Sequence, residues 1–218
     1  MDSSVVAVTL GIGRYRNTAE MAAARFEQMT RVRTRVLDDR DVRGIELAHP
    51  TLAKLYLFDI VGSDRIVFFD PDVVVLREWD LAQLLDEPAL VAVRDRFIGD
   101  REHGLGVPRV RYFNAGMFIA NRAAHAGMFR YARALWRDAP QEFRLLDQSL
   151  LNVAAHRGAV RIRWLPQRYN FLHYGRRAHD HVVLAHFTRG IDQAHRTLAS
   201  LAGAAVQESD VPTPRGSW

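Results

Sequence analysis

The stretch RIVFFDPDVVVL, residues 65–76, governs how the rest of the chain is interpreted. Its first five residues are mainly apolar, which is typical of a buried β-strand. Pro71 has no backbone N–H for a strand ladder, so the strand is predicted to end there before the apolar run resumes at Val73. Because alternate side chains of an extended chain lie on one side, the carboxylates of Asp70 and Asp72 are expected to face one point. Taken alone, the tripeptide favours an ordinary solvated turn.

Ligands of α/β sheets usually bind where the strands end. Two carboxylates at such an end suit Mg²⁺ or Mn²⁺, hard cations that bridge phosphate oxygens. The chain contains no cysteine. A metal must therefore be held by oxygen or imidazole, and disulfides, thiolate zinc sites and thiol nucleophiles are excluded.

The N-terminal sequence predicts a βαβ unit. Residues 5–10 form a short apolar run, a helix capped by Asn17 or Thr18 is expected to reach Met29, and residues 31–37 alternate charged and apolar side chains. This order predicts an α/β fold with a mainly parallel central sheet and helices on its faces. Further strands are predicted at 89–93, 113–119, 160–164 and 182–185, and further helices at 51–61, 123–137 and 147–155.

Length and composition are those of one globular domain. The 218 residues, 48% of them hydrophobic, are enough for one sizeable core. We expect a domain over residues 1–206 and a flexible tail over 207–218. The absence of a basic and apolar leader, and of any apolar run near 18–20 residues, predicts a cytoplasmic protein without a transmembrane segment.

The net charge of +5 comes from arginines spread along the chain. A solvated arginine-rich surface is the simplest interpretation, and attraction to phosphate-bearing ligands is the next. Nucleic-acid binding is disfavoured, because no basic run is interleaved with aromatic residues.

Several motifs follow the Asp-Pro-Asp tripeptide in order, and together they are specific. They are VAVRDRF (91–97), YFNAGMFIANR (112–122), LLDQSLLN (145–152), LPQRYNF (165–171) and LAHFTRG (184–190). With them the chain resembles the family 8 glycosyltransferases, the group of glycogenin and the bacterial lipooligosaccharide galactosyltransferases. The resemblance implies a single GT-A domain, which is a Rossmann-like fold for nucleotide-diphospho-sugars. It extends over roughly residues 50–190.

The resemblance implies a metal site of Asp70, Asp72 and His186, filled by Mn²⁺ or Mg²⁺. An imidazole ligand favours Mn²⁺ of the two. Without the family context, a histidine at a strand end is more often a structural residue.

The resemblance also implies the catalytic and donor-binding positions. The catalytic candidates are Gln148 beside the anomeric carbon, its neighbour Asp147, and Asp95 at the donor sugar. Tyr15 matches an aromatic that stacks on uracil. The donor-binding candidates are Tyr15, Asp39, Lys54, Asp70, Asp72, Asn114 and Arg189.

Three departures from the family pattern bear on donor binding. Lys54 stands where the family has arginine, which keeps the charge but loses the bidentate fork. The residues before Tyr15 are not acidic, so a donor other than a UDP-sugar stays open. The family's closing lysine is absent, and Arg189 is the nearest cation expected to contact the diphosphate.

The expected reaction is metal-dependent transfer of a hexose from UDP to a glycan, glycolipid or protein, with retention of configuration. An inverting enzyme with Asp147 or Asp95 as base is one alternative, and a non-catalytic nucleotide-sugar-binding domain is another. A haloacid dehalogenase-type phosphatase needs a lysine downstream of the aspartates, whereas the lysine here is the upstream Lys54. A nucleotide-sugar pyrophosphorylase needs a glycine-rich loop that GIGR at 11–14 only weakly matches.

A second group of histidines, His173, His179 and His181, is spaced closely enough to suggest another metal site. Their charged surroundings favour solvated loop residues instead.

Overall fold

The structure, a computed structural model, describes residues 5–98, 105–172, 181–188 and 190–209, with side chains described as far as residue 203. Several positions singled out above lie outside the described residues. They are Arg189, His173, His179 and, in the expected tail, residues 210–218.

The described strands, numbered in chain order, form two sheets. The central sheet has six strands in the order β2-β1-β3-β6-β5-β7, and the small sheet has three in the order β4-β9-β8. Their bounds are β1 Val5–Leu10, β2 Thr34–Leu37, β3 Arg65–Phe69, β4 Val73–Val75, β5 Leu90–Arg94, β6 Phe113–Asn121, β7 Ile162–Leu165, β8 Phe171–Leu172 and β9 Leu184–His186.

The central sheet is mostly parallel, as the βαβ pattern predicts. β1 pairs in parallel with β2 and β3, and β5 pairs in parallel with β7. β6 runs antiparallel to both of its neighbours, β3 and β5. A parallel sheet therefore contains one reversed strand at its centre, which the sequence pattern did not reveal.

The apolar run after Pro71 belongs to a different sheet from the strand before it. β4 leaves the central sheet and pairs antiparallel with β9, with Val73 opposite His186. The Phe187 N–H donates to the Asp72 carbonyl over 2.9 Å. This pairing brings a histidine from the end of the chain to the aspartates.

Six α-helices are described: α1 Arg16–Thr30, α2 Leu57–Ile60, α3 Ala82–Leu85, α4 Arg122–Asp138, α5 Asp147–Arg157 and α6 Ile191–Ser209. Helix α1 confirms the first helix, but neither predicted cap is correct. The 3₁₀ turn Gly13–Tyr15 leads into α1, so Asn17 and Thr18 lie inside the first turn.

Two further differences concern helical type and extent. The predicted helix at 51–61 is a 3₁₀ helix, Pro50–Tyr56, followed by the single turn of α2. Helix α6 was not predicted, and it continues to Ser209, so residues 207–209 of the expected tail are helical.

Both faces of the central sheet are buried. Along β3, Ile66 and Phe68 point to one apolar cluster, while Val67 and Phe69 point to the other. The first cluster is covered by α4 and α5. The second is covered by α1, where Phe26 stacks on Phe69 with ring centroids 4.3 Å apart. The molecule is thus a three-layer α/β sandwich whose strand ends open into a cleft.

Candidate active site and metal centre

A cleft runs along the sheet edge at which β1 and β3 end, and it has two halves. The β1 half, about 690 Å³, is bounded by the end of β1, the Gly13–Tyr15 turn and the start of α6. The β6 half, about 910 Å³, is bounded by β6, the start of α5 and β9. Four residues line both halves, namely Thr51, Asp70, Asp72 and Thr188. The two halves therefore meet at the aspartate pair.

Asp70, Asp72 and His186 come together at this meeting point. The Nε2 atom of His186 lies 3.3 Å from Asp72 Oδ1 and 4.0 Å from Asp70 Oδ2. Each residue offers one ligand atom, and these atoms lie within 4.8 Å of one another. Within the described part of the chain, no other group of three His, Asp or Glu side chains lies close enough together to hold a metal.

The backbone around the two aspartates explains their placement. The Asp70 N–H donates to the Gly116 carbonyl of β6 over 2.8 Å, and the Val73 N–H donates to the Asp70 carbonyl over 2.9 Å. The chain therefore turns through Pro71 and projects both carboxylates into the cleft.

Lys54 lies beneath the aspartates and is 2% exposed. Its Nζ is 2.8 Å from Asp70 Oδ1, 2.8 Å from Asp147 Oδ2 and 3.3 Å from the Ala115 carbonyl. An ammonium has three hydrogens, and these three groups accept them. Lys54 is one of the donor-binding candidates that the resemblance implies, and in the structure its ammonium contacts two carboxylates.

The electrostatics of the aspartate pair favour a bound cation. Burial raises the pKa of Asp70 to about 6, with Asp72 adding to the rise and Lys54 opposing it. Burial lowers the pKa of His186, but Asp72 and Asp70 outweigh burial and the pKa is raised overall. Burial likewise lowers the pKa of Lys54, and Asp147 and Asp70 more than reverse this. Without a cation, the centre therefore attracts protons.

The donor set fits a hard divalent metal. The Lys54 ammonium balances one of the carboxylates of Asp70, Asp72 and Asp147, and a divalent cation would balance the other two. Two carboxylates and an imidazole suit Mn²⁺, with Mg²⁺ as the harder alternative.

The wall of the β6 half is braced by three polar side chains, of which Asp95 and Asn114 are buried and Gln148 is half-buried. Asp95 accepts hydrogen bonds from the Phe97 N–H at 2.8 Å, Asn114 Nδ2 at 3.2 Å and Gln148 Nε2 at 3.1 Å. Gln148 Oε1 accepts from the Ala115 N–H at 2.9 Å. Both ends of the Gln148 amide are therefore fixed, and the three predicted residues Asp95, Asn114 and Gln148 form one unit.

The β1 half holds Tyr15 on its wall, and the Tyr15 hydroxyl accepts from Arg14 at 3.2 Å. Asp39 does not line the cleft. Its carboxylate accepts the Gly13 N–H at 3.2 Å and so supports the turn that carries Tyr15. Opposite them, His195 of α6 contacts Thr18 Oγ1 at 3.2 Å.

Several residues of the site were missed from the sequence. Asn170 and Gly116 lie within motifs quoted above, but no role was given to them. Thr188 lies within the quoted motif 184–190, and His195 lines the cleft because α6 begins beside it. The apolar spacing of Ala194 and Leu198, both buried, was the available signal for that helix.

The fold is that of a GT-A glycosyltransferase. The chain belongs to glycosyl transferase family 8, whose family model matches residues 16–192. It is a glycosyltransferase. A comparison with curated proteins finds no match.

Solved structures agree on the fold. The chain is similar to an active-site mutant of LgtC, with 19% identity and a TM-score of 0.67 over 91% of this chain and 95% of that one. The galactosyltransferase LgtC in complex with donor and acceptor sugar analogues gives 19% identity and a TM-score of 0.66 over 89% and 95%. The apo glycosyltransferase GlyE of Streptococcus pneumoniae gives 16% identity and a TM-score of 0.64 over 94% and 64%.

Among the described residues, no helix combines the length and apolar character that a bilayer-spanning segment requires.

Proposed function

We propose that this glycosyltransferase binds a nucleoside diphosphate sugar, with a UDP-hexose as the first donor to test, and transfers the sugar to an acceptor hydroxyl with the help of Mn²⁺. The observation that carries the proposal is the convergence of Asp70, Asp72 and His186 where the two halves of the cleft meet. A diphosphate at this point would place the nucleoside in the β1 half and the sugar in the β6 half.

Asp70, Asp72 and His186 would hold the cation. When bound, a divalent ion supplies positive charge that stabilises the diphosphate leaving group. Lys54 contacts both Asp70 and Asp147 from below, so its role is to hold these two carboxylates in place.

Tyr15 is proposed to stack on the base, since its ring forms part of the wall of the β1 half. Arg14 and His195 line the same half and offer hydrogen-bond donors to the diphosphate. The expectation that Arg189 contributes to the diphosphate remains a proposal.

The β6 half supports a retaining reaction. Asp147 is paired with Lys54, and Asp95 accepts three hydrogen bonds, so neither carboxylate is presented as a general base. In the reaction we favour, the acceptor oxygen bonds to the anomeric carbon on the face from which the phosphate oxygen departs. That phosphate oxygen takes the acceptor proton. Gln148 would orient the sugar next to this carbon.

The acceptor is proposed to approach over the outer rim of the β6 half. Phe97 is 60% exposed and Leu145 40% exposed, and both line the cleft. An apolar rim of this kind suits the C–H face of a sugar, as part of a glycan, glycolipid or glycosylated protein.

A panel of nucleotide sugars tests the proposal. Melting temperature and donor hydrolysis are measured with UDP-, GDP-, ADP- and TDP-hexoses, each with Mn²⁺ and with a chelator. A ligand that binds only the folded protein raises the melting temperature by mass action. We expect one nucleotide series to do so only with Mn²⁺, and the Asp72→Asn variant to lose this response. Asp86→Asn, an exposed carboxylate outside the cleft, is the matched control.

The anomeric configuration of the product then shows whether the reaction proceeds with retention or inversion. Proton NMR of the first-formed product is expected to show the anomeric configuration of the donor. The opposite configuration would favour the inverting alternative with Asp95 or Asp147 as base. Metal-dependent binding without hydrolysis or transfer on any acceptor would point to a binding domain.

A further inference from the structure

The LPQRYNF motif places an asparagine behind the metal centre. Asn170 is 1% exposed and follows the 3₁₀ turn Gln167–Tyr169. Its Oδ1 lies 2.9 Å from His186 Nδ1, and its Nδ2 lies 2.9 Å from Asn114 Oδ1. The ring nitrogen that it contacts is the one facing away from Asp70 and Asp72.

The orientation of these amides follows from fixed backbone donors. The Gly116 N–H donates to the Asn114 side chain over 2.9 Å, so the atom it meets must be the amide oxygen. That oxygen also faces the Asn170 side chain, which must therefore present its NH₂ group there. The remaining Asn170 atom is an oxygen, and it can only accept. His186 must then carry a hydrogen on Nδ1.

The contacts at the Asp95 end of this hydrogen-bond chain give the same orientation for the Asn114 amide. Asn114 directs its second amide atom at Asp95 Oδ2, 3.2 Å away. An ionised carboxylate accepts only, so this atom is the Asn114 nitrogen. Gln148 is oriented independently, because the Ala115 N–H fixes its oxygen and its nitrogen donates to the same Asp95 oxygen. One consistent set of amide orientations connects Gln148 to His186.

The imidazole also needs space that only glycine leaves. A Cβ atom on Gly116 would lie 2.1 Å from His186 Cε1 and 2.7 Å from His186 Nδ1. Atoms do not approach so closely, so any side chain at this position would displace the ring. Gly116 therefore supplies both the donor that orients Asn114 and the room for His186.

We propose that Asn170, with Gly116, is a positioning residue that locks His186 in the Nδ1–H tautomer and presents the Nε2 lone pair to the point shared by Asp70 and Asp72. The inference rests on the proposed function in treating His186 as a metal ligand. Metal-binding histidines commonly donate their other ring N–H to an oxygen acceptor, which fixes the ring and raises its basicity. Because the same hydrogen-bond chain ends on Gln148, His186 and the wall of the β6 half are held as one unit.

The tautomer can be measured without metal or donor. Long-range ¹H–¹⁵N correlation spectra are recorded on protein with ¹⁵N-labelled histidine, in alkaline solution where the ring is neutral. The His186 signals are identified by their loss in His186→Ala. We expect the wild-type ring to show a protonated Nδ1 and an unprotonated Nε2. In Asn170→Ala the two tautomers should mix, because the acceptor is gone.

The affinity for Mn²⁺ is a second test of the role of Asn170. Titration with Mn²⁺, followed by the electron paramagnetic resonance of the free ion, should show an affinity about 10–100-fold lower for Asn170→Ala. Asn170→Asp keeps an acceptor oxygen for Nδ1–H and should bind Mn²⁺ closer to wild type than Asn170→Ala does. Asn152→Ala is the matched control, since Asn152 is also 1% exposed and bonds to β6 at Phe113. It should leave the His186 tautomer unchanged.

The outcomes separate this inference from the proposed function. An Nε2-protonated ring in the wild type, or an Asn170→Ala protein with the wild-type ring spectrum and Mn²⁺ affinity, would overturn the role of Asn170. Failure of the proposed function has a different signature, namely a wild-type protein with no Mn²⁺-dependent donor binding or hydrolysis, whatever its tautomer.

Discussion

The polar side chains on the wall of the β6 half are largely buried and bond to one another, whereas the half-buried Tyr15 in the β1 half bonds through its hydroxyl to the exposed Arg14 beside it. In the β6 half, Asp95, Asn114 and Gln148 share hydrogen bonds that join three elements of the fold. In the β1 half, Tyr15 is paired with the adjacent Arg14 on the same turn. The groups proposed to act on the sugar are thus held by several buried partners, and the hydroxyl of the ring proposed to stack on the base bonds to one exposed neighbour.

This difference has a physical reason. Charge stabilisation depends on groups that are already oriented before the reaction, so the β6 half and the metal centre need fixed partners. Stacking on a base tolerates small displacements, because its energy comes mainly from buried area. Substitutions should therefore have large and coupled effects in the braced half, and small and local effects in the other.

The largest effect is expected on removing Lys54. The change Lys54→Met leaves Asp70 and Asp147 buried without their counter-charge. Loss of one partner of a buried ion pair costs about 3–5 kcal/mol. Urea unfolding without metal should show this loss of stability, and Lys54→Arg should recover part of it. An unfolding free energy equal to that of the wild type would show that the buried lysine does not stabilise the pair.

Removal of a carboxylate from the metal centre should act on the reaction instead. Asp72→Asn is expected to lower Mn²⁺-dependent donor hydrolysis by about 10²–10³-fold, the range seen when one charge-stabilising group is lost. The variant should remain folded, because Asp72 lies at the cleft surface with 22% of its side chain exposed. Wild-type hydrolysis by Asp72→Asn, beside the Asp86→Asn control, would remove Asp72 from the site.

Acid should weaken the metal centre before it affects the rest of the protein. Asp70 has its pKa raised to about 6, so at pH 5 about one tenth of it is ionised, and this change alone should lower Mn²⁺ affinity about tenfold relative to pH 7. The pKa of His186 is raised as well, so protonation of the imidazole should lower the affinity further. The metal-free protein should show the opposite trend in stability. The folded state binds this proton more tightly than the unfolded chain, whose pKa is near 3.8, so stability rises as pH falls from about 6 to about 4.

Two measurements check this pH dependence. The first is the Mn²⁺ dissociation constant at pH 7 and pH 5, in the wild type and in Asp70→Asn, where the dependence should be weaker and only the His186 contribution should remain. The second is urea unfolding of the metal-free protein over the same range. An Mn²⁺ affinity independent of pH in the wild type would contradict the raised pKa.

The smallest effect is expected in the β1 half. Tyr15→Ala should weaken donor binding about threefold to tenfold, since one aromatic contact contributes about 0.5–1.5 kcal/mol. Tyr15→Phe keeps the ring and should bind the donor like the wild type. Calorimetric titration with the best nucleotide of the panel measures both. Equal affinity in Tyr15→Ala would place the base elsewhere in the cleft.

Much of the fold follows from local sequence pattern. The apolar runs at β1 and β3 predict buried strands, and the βαβ order predicts the parallel part of the sheet. The reversed β6 and the shift of β4 into a second sheet depend on pairing with distant strands. The hydrophobic pattern of a sequence indicates where strands occur, but it does not indicate which strands pair with each other.

The candidate site divides in the same way. Asp70 and Asp72 stand out in the sequence because two residues of one strand end are close by geometry alone. His186 became a candidate through the family resemblance, since it comes from a different sheet strand. Other contacts of the site join residues that are distant in sequence. Lys54 and Asp147 are 93 positions apart, and Asn170 and His186 are 16 positions apart, so only the folded chain brings them together.

The manganese ion itself gives the most direct test of the metal centre. Crystals soaked with Mn²⁺ and the best nucleotide of the panel would be measured near the manganese absorption edge. We predict one anomalous peak within coordination distance of Asp70, Asp72 and His186 Nε2, with the diphosphate beside it. A peak elsewhere, or a bound nucleotide with no anomalous peak between these three side chains, would contradict the proposed metal-dependent site.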